Sequence, residues 1–213
     1  KSAQSYLGIV NIVPVLMGLF RKSTLLQVGG YSTDTFAEDC DLTIRLLMNH
    51  FEVKYNPEMK AYTEAPIYAD ALVTQRYRWS RGVVQAIVKN TSYFWGSNTS
   101  FRNKVILLQL IGDSIVIPLV NYIFAMGTIF FILQVDNGVN VFGPFFLGLL
   151  ILDVLLTLFS MFNHKRLLTL SFLSIVNRMT YGLSMEIVRF FAMIDELLRV
   201  PMKWGILKRR GLS

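Results

Sequence analysis

The sequence predicts a mixed α/β region followed by interfacial and transmembrane α-helices. The strand candidates share alternating or continuous apolar residues and cover residues 9–20, 51–57 and 60–64. The helix candidates share apolar residues at helical spacing and cover residues 21–28, 36–49 and 72–89. After Lys104 the sequence contains long runs without charge, which predict helices in a membrane.

Composition supports this division into an ordinary part and a membrane part. The 213 residues are 53% hydrophobic and only 16% charged, whereas a soluble domain is about a quarter charged. The net charge of +7 comes mainly from scattered basic residues that match no nucleic-acid-binding module. We therefore expect contact with membrane lipids and no contact with nucleic acid. The single cysteine allows no intrachain disulfide, and the two histidines lack neighbours at metal-ligand spacing.

Local signals mark the ends of the predicted helices in the first part. The pair Gly29-Gly30 is expected to end the helix over residues 21–28. Thr35, followed three residues later by Glu38, predicts a capping box at the start of the next helix. The helix over residues 72–89 mixes basic, aromatic and aliphatic residues, which is typical of a helix lying on a membrane surface.

Two apolar stretches predict membrane-spanning helices. Residues 114–135 carry no charge, and a helix of that length spans the roughly 30 Å of hydrocarbon in a bilayer. Pro118 is expected to kink this helix near one end. Residues 141–162 form the second stretch, which contains one acid, Asp153. The basic loop at 163–166 then predicts, by the positive-inside rule, that this loop and the first part are cytosolic.

The third apolar stretch, residues 167–200, does not predict a simple crossing. It contains Arg178, Glu186 and Arg189, and the basic tail that follows should remain in the cytosol. We expect a re-entrant, interfacial or broken helix. The two arginines and Asp153 either form an intramembrane ion pair, line a polar path, or lie at the interface.

The first group of residues that can carry chemistry is Glu38-Asp39-Cys40-Asp41. A carboxylate in this position can act as a general base. The alternative is structural, because acids in the first turn of a helix stabilise its positive end. Both interpretations stay open for the tetrapeptide alone.

The second group is Gln75-Arg76-Tyr77-Arg78-Trp79. Two guanidiniums, an amide and an indole suit a phosphorylated, ring-shaped ligand, since arginine binds phosphate with a fork of donors. The alternative is an amphipathic helix whose arginines contact lipid headgroups and whose tryptophan belongs to an interfacial belt.

Read in order, four segments closely resemble the second half of family 2 glycosyltransferases. They are F-R-K-S-T-L-L-Q-V-G-G-Y, E-D-C-D-L-T-I-R-L, V-K-Y-N-P-E-M-K-A-Y-T-E-A-P and Q-R-Y-R-W-S-R-G. The resemblance covers about residues 15–90 and is nearest to the membrane-embedded processive branch, which includes poly-N-acetylglucosamine, chitin, hyaluronan and cellulose synthases. It implies a partial GT-A, Rossmann-like half domain over residues 1–72. An interfacial helix with a Q-x-x-R-W motif and a linker would follow over 73–104, and a membrane region with a basic tail over 105–213.

The resemblance places the catalytic base at Asp39, with Glu38 beside it. Ala37 replaces the threonine often found before this pair. Family members convert an α-linked UDP-sugar into a β-linked product by one in-line displacement. This reaction requires one carboxylate to accept the proton of the acceptor hydroxyl, and no second carboxylate as a covalent nucleophile. Asp41 is interpreted as a helix-start residue.

The resemblance also implies the ligand-binding residues. Gln75, Arg78 and Trp79 match the invariant letters of the Q-x-x-R-W motif. In the family this motif binds the donor diphosphate, and its tryptophan forms a platform under the acceptor sugar. We therefore expect Gln75 and Arg78, with Arg76, to bind the diphosphate. Trp79 and Gly18 are expected to contact the acceptor.

The nucleotide-binding half of the family, with its D-x-D metal motif, finds no match in this sequence. We expect no metal ligand here, and Mg²⁺ or Mn²⁺ to be held by that N-terminal half, which is the expected partner. The first residue is Lys1, and we expect a fragment that is inactive alone.

The predicted function is sugar transfer from a UDP-sugar to a growing β-linked glycan, with translocation across the membrane. The location is a plasma or inner membrane, multi-pass, with the catalytic part and the tail cytosolic. A non-processive glycolipid glucosyltransferase and a non-catalytic glycan-conducting subunit are the alternatives.

Overall fold

In a computed structural model of the chain, the structure describes residues 12–14, 17–56, 58–59, 61–94, 99–134, 137–162, 173 and 176–201. Its helices are α1 Lys22–Gln27, α2 Glu38–Met48, α3 Ala69–Lys89, α4 Thr91–Phe94, α5 Phe101–Ile111, α6 Ile117–Gln134, α7 Gly138–Phe162 and α8 Leu183–Leu197. Short π-helical segments, Gly112–Val116 and Arg178–Gly182, precede α6 and α8. Two compact units are present, one within residues 1–117 and 188–213 and the other within 118–187.

The prediction of an α/β half domain is wrong. The described residues contain helices and loops but no strand, and those of the three strand candidates run as loops with a single short turn at Met17. A strand is maintained by hydrogen bonds to a neighbouring strand, and the described part offers these segments none. The amide of Val13 instead donates to the hydroxyl of Thr43 on α2, at 3.1 Å. Residues 61–65 are exposed to solvent.

The three helices predicted in the first part are confirmed. Helix α1 ends at the expected glycine pair, where Gly29 and Gly30 have φ angles of 82° and 70°, which is backbone that glycine adopts without steric cost. The amide of Gly30 donates to the carbonyl of Leu25 at 2.9 Å and so closes the helix end. Helix α3 begins at Ala69, a few residues before the predicted start.

The predicted capping box at the start of α2 is wrong. The residue before the helix is Ala37, and no side chain caps the helix there. The hydroxyl of Thr35 is buried and has no hydrogen-bond partner in the described part of the chain. The chain just before α2 is instead held from α3, where the side-chain oxygen of Gln85 accepts from the amide of Phe36 at 3.0 Å.

The core of the first unit lies between α2, α3 and α5. Its buried residues are small or aliphatic: Ala37, Cys40, Ile44, Ala86, Ile87, Leu107 and Leu110. Burying each leucine or isoleucine contributes about 1.5–3 kcal/mol, so this cluster holds α3 against α2. The fully buried side chain of Asn103 on α5 donates to the carbonyl of Leu47 at 2.6 Å and so satisfies the C-terminal end of α2.

The second unit contains α6 and α7, whose aromatic rings pair. Phe131 and Phe142 lie 5.1 Å apart, and Phe124 and Phe145 lie 6.3 Å apart. Helical residues Phe101–Gln134 and Gly138–Phe159 are long and apolar enough to cross a membrane, and only 11% and 0% of their most apolar windows are buried. Apolar side chains exposed along whole helices are typical of surfaces that contact lipid.

The segment before Pro118 is π-helical, over Gly112–Val116. Proline has no amide hydrogen and clashes with the carbonyl four residues earlier, and a wider turn accommodates both effects. Of the third apolar stretch, α8 and the π-helical turn before it are described. The predicted ion pair or polar path depends on Asp153 and Arg178, whose backbone the structure describes but whose side chains lie outside the described part.

Candidate functional site

The two candidate catalytic acids lie in the first turn of α2. Glu38 and Asp39 are half-buried. One carboxylate oxygen of Asp39 accepts from the amide of Cys40 at 2.8 Å. The carbonyl of Asp39 accepts from the hydroxyl of Thr43 at 2.7 Å. These two bonds hold both the side chain and the backbone of Asp39, as a positioned general base requires.

Tyr31 is a neighbour of these acids that the sequence interpretation did not identify. Partial burial raises the pKa of its phenol, and the negative charges of Asp39 and Glu38 raise it further. Its ring packs edge-on against Phe20, at 6.1 Å between centroids. The phenol therefore keeps its proton at neutral pH close to the two carboxylates. An aromatic residue directly after the Gly29-Gly30 turn is the sequence signal for it.

Asp41, interpreted as a helix-start residue, lies in the first turn of α2 and is fully buried. Its oxygens accept from the Ser32 hydroxyl at 2.6 Å, the Arg45 guanidinium at 3.0 Å, the Lys89 amine at 3.2 Å and the Asn90 amide at 2.8 Å. Burial by itself would raise the pKa of Asp41, but these donors outweigh it and hold the pKa below its usual value. Asp41 therefore joins the loop before α2 to the end of α3.

Acid should weaken the fold through Asp41. Because its pKa is lowered by folding, its contribution is complete above the unfolded value of about 3.9 and is lost as the pH falls through the folded pKa. In Asp41→Asn, Arg45 loses its charged partner and Lys89 loses one, so we expect the free energy of unfolding to fall by about 3 kcal/mol at neutral pH. Denaturant unfolding between about pH 3 and pH 7 measures both effects. The variant Asp70→Asn, at an exposed acid, should have the same free energy of unfolding as the unmodified protein at each pH. If the free energy of unfolding of Asp41→Asn fell with decreasing pH as steeply as that of the unmodified protein, this role of Asp41 would be contradicted.

Helix α3 carries the Q-x-x-R-W motif of Gln75, Arg78 and Trp79, called the Arg–Trp motif below. Gln75, Arg76 and Arg78 are half-buried, and the Trp79 side chain is 44% exposed. The guanidinium of Arg76 lies over the Trp79 ring, 4.8 Å from its centroid, and its Nε is buried without a hydrogen-bond partner in the described part of the chain. The structure thus brings Arg76 and Trp79 together directly and leaves part of the indole open.

Gly82 brings α3 against the residues that directly precede the first turn of α2. That first turn, which carries Glu38 and Asp39, is called the acidic turn below. A Cβ at Gly82 would lie 2.5 Å from the backbone nitrogen of Ala37 and 2.6 Å from the carbonyl carbon of Phe36. Such distances are too short for real atoms, so only glycine permits the contact. Gln85, one turn further along, accepts the Phe36 amide hydrogen. Sequence reasoning assigned no role to either residue, although Gly82 follows Trp79 by only three positions.

Helical spacing puts the motif on the side of α3 that faces this contact. Residues three and four apart share a helix face, so Gln75, Arg78 and Gly82 are aligned, with Trp79 beside them. Glu38 and Asp39 directly follow Phe36 and Ala37, the two residues whose backbone Gly82 approaches. The acidic turn and the Arg–Trp helix are therefore packed neighbours in one unit.

An adjoining face of α3 is bound to the end of α8. Arg81, only 3% exposed, donates to the Glu196 carboxylate at 2.9 Å and to the carbonyl of Val200 at 2.6 Å. The Tyr77 hydroxyl donates to Asp195. Arg81 is thus paired inside the protein.

Gly18 lies in the loop before α1, where a Cβ would meet the Phe20 ring at 2.4 Å and Val13 at 3.3 Å. Through Val13 this loop is hydrogen-bonded to Thr43 and so to the first turns of α2. Among the described residues, no group of three side chains suited to ligating a metal ion occurs.

The chain belongs to the family described as glycosyl transferase family group 2, whose profile matches residues 9–185. No solved structure matches it.

Curated relatives are similar over part of their length. The chain is 31% identical to the poly-beta-1,6-N-acetyl-D-glucosamine synthase of Staphylococcus epidermidis over 97 residues, which are 46% of this chain and 23% of that protein. The synthase of a second Staphylococcus epidermidis strain is 32% identical over 95 residues, 45% and 22% of the two chains. The Staphylococcus aureus (strain COL) synthase is 29% identical over 90 residues, 42% and 22%. The chain therefore matches less than a quarter of each relative.

Proposed function

We propose that this chain forms the acceptor side of an inverting glycosyltransferase that extends a β-linked polysaccharide from a UDP-sugar at the cytosolic face of a membrane. The observation that carries the proposal is the contact of Gly82 with the backbone of Phe36 and Ala37, which holds the Arg–Trp helix beside the acidic turn. Family membership and the synthase relatives support the reaction class.

In the proposed reaction, Asp39 accepts the proton of the acceptor hydroxyl while that oxygen attacks the anomeric carbon of the donor. The bond from that carbon to the diphosphate breaks in the same step, and UDP leaves with the bonding electron pair. Positive charge near the departing diphosphate stabilises the transition state. Arg78 and Arg76, with the amide of Gln75, supply these donors from the helix next to the base.

Trp79 serves in this proposal as the platform for the terminal acceptor sugar. Arg76 covers one part of the indole. The 44% of the Trp79 side chain that is exposed leaves surface for a sugar ring. Gly18 is a second proposed acceptor contact, and it rests on the family resemblance alone, because the Phe20 ring occupies the space beside its Cα.

The proposed membrane arrangement has α6 and α7 as crossings, with the first unit and the basic tail in the cytosol. The exposed apolar surfaces of α6 and α7 support the crossings, and the basic loop at 163–166 supports the orientation. The polymer would leave the cytosol along these helices. A donor-binding half supplied by the rest of the synthase is the proposed partner. The described residues offer no metal-ligand set, so no step is assigned to Mg²⁺ or Mn²⁺ on this chain.

Trp79→Ala tests the platform. Membranes from cells that express this chain with its donor-binding half are given radiolabelled UDP-N-acetylglucosamine, and polymer yield and length are measured. Losing an aromatic contact of about 0.5–1.5 kcal/mol should lower the yield about 2- to 10-fold and shorten the product. Protein amount should stay near normal because the side chain is half exposed.

Trp79→Phe is the matched control, since it keeps an aromatic face and should retain most of the polymer. Full yield from Trp79→Ala would contradict the platform. A lipid carrying a single sugar, in place of polymer, would identify a non-processive glycolipid transferase.

A further inference from the structure

The end of α8 binds α3 through a partly buried polar cluster that the proposed reaction does not use. The cluster consists of Tyr77, Arg81 and Gln85 on α3 with Asp195 and Glu196 on α8. The Arg81 guanidinium and the Glu196 carboxylate are 2.8 Å apart at their closest, with 3% and 18% of the side chains exposed. Removing one partner of an ion pair that is buried to this extent strongly destabilises a protein. The pair therefore holds α3 and α8 in one register.

Gln85 connects this cluster to the acidic turn. Its amide nitrogen donates to Glu196 at 3.0 Å, and its amide oxygen accepts from Phe36 at 3.0 Å. Phe36 lies two residues before Glu38. From its place on α3, the side chain of Gln85 therefore contacts both the end of α8 and the chain just before the turn that carries Asp39.

The contacts with α8 and with the acidic turn lie on adjoining faces of α3. Tyr77 and Arg81, four residues apart, bind α8, whereas Gly82, with Gln75 and Arg78 at helical spacing from it, faces the acidic turn. A helix held in this way can neither rotate nor slide without breaking these partly buried hydrogen bonds. Rotation is the movement that would carry Arg78 away from the base.

We infer that Glu196 is a positioning residue for sugar transfer, which acts through Arg81 and Gln85 to fix the rotation of α3 and hence the place of Arg78 relative to Asp39. This inference rests on the proposed function and adds the C-terminal helix to its machinery. Catalytic geometry is sensitive to such shifts, since a displacement of about 1 Å costs roughly 10²-fold in rate.

A double-mutant cycle with Glu196→Ala and Arg78→Ala tests it in membranes that hold the complete synthase. Glu196→Ala alone should lower kcat about 10- to 100-fold and change the KM for the donor less than about 3-fold, as for an interaction made mainly in the transition state. In the Arg78→Ala background, the same change should cost less than about 2-fold, because the group it positions is gone. An equal factor in both backgrounds indicates a purely structural role and would overturn the inference. If Glu196→Ala does not accumulate, Glu196→Gln takes its place in the cycle, with the same two outcomes.

A second readout does not depend on activity. In a Trp95→Phe, Trp204→Phe background, Trp79 is the remaining tryptophan. Glu196→Ala should shift its emission maximum and its quenching by acrylamide, whereas Glu58→Ala, an exposed acid outside the cluster, should change neither. Identical Trp79 spectra in the Glu196→Ala and unmutated proteins would overturn the inference. If no form of the synthase transfers sugar, the proposed function fails, while this fluorescence test of positioning still stands.

Discussion

Replacing Asp39 by asparagine is expected to lower the initial rate of sugar transfer by roughly 10²–10⁴, the usual contribution of a positioned general base. Asparagine has nearly the same shape, and its oxygen can still accept the amide hydrogen of Cys40 that Asp39 accepts at 2.8 Å. The first turn of α2 should therefore form normally, and the loss should appear in kcat. The measurement is transfer from radiolabelled donor in membranes that hold the complete synthase, normalised to protein amount.

Asp70→Asn is the matched control for this substitution. Asp70 also lies in the first turn of its helix, and it accepts from the following amide, that of Ala71, at 2.8 Å. If acid at a helix start were all that mattered, both variants would be equally impaired. We expect Asp70→Asn to retain normal activity. Undiminished transfer by Asp39→Asn would exclude Asp39 as the base.

Gly82→Ala is expected to impair both stability and transfer. The added methyl group would lie 2.5 Å from the Ala37 nitrogen and 2.8 Å from the Ala37 Cβ, and the backbone there cannot rotate out of the way as a side chain could. Overpacking of this kind costs about 1–3 kcal/mol. Relief requires α3 and the acidic turn to move apart. A separation of about 1 Å between base and donor site would lower the rate roughly 10²-fold.

Gly112→Ala makes the same chemical change where the new methyl group meets nothing within 4 Å. It is also in helical backbone, at the start of a π-helical segment. Denaturant unfolding and transfer rate should both remain near normal in this variant. Normal values for Gly82→Ala as well would mean that the close approach of the two elements is unimportant for the reaction.

Five of the eight helices that the structure describes could be predicted, in order, because their signals are local. Apolar residues at helical spacing, a glycine pair and uncharged runs act within one element, and α1, α2, α3, α6 and α7 formed close to the predicted residues. The strand prediction failed because alternation reports which side chains face inward, whereas a strand also needs a neighbouring strand. The capping box failed for a similar reason, since the chain just before α2 is held by Gln85 of α3, 49 positions from Phe36, and Thr35 caps no amide.

The candidate site shows the same division. Sequence resemblance singled out Asp39 and the Arg–Trp motif, and it also gave Asp41 a helix-start position. It could not indicate that Asp41 is a fully buried acceptor of four donors while Asp39, two residues earlier, is only half-buried. Which of two neighbouring acids becomes structural depends on the side chains that other elements bring to it.

By itself the sequence determined five of the eight described helices, the apolar stretches fit to cross a membrane, and the family to which the chain belongs, because each depends on residues that are close together or in a fixed order. Only the tertiary structure decided that Gly82 allows α3 to pack closely against the residues before the acidic turn. It also decided that Arg81 pairs with Glu196, 115 positions away. Contacts between distant residues form when packing brings their elements together, and no local pattern records which partner each side chain will meet.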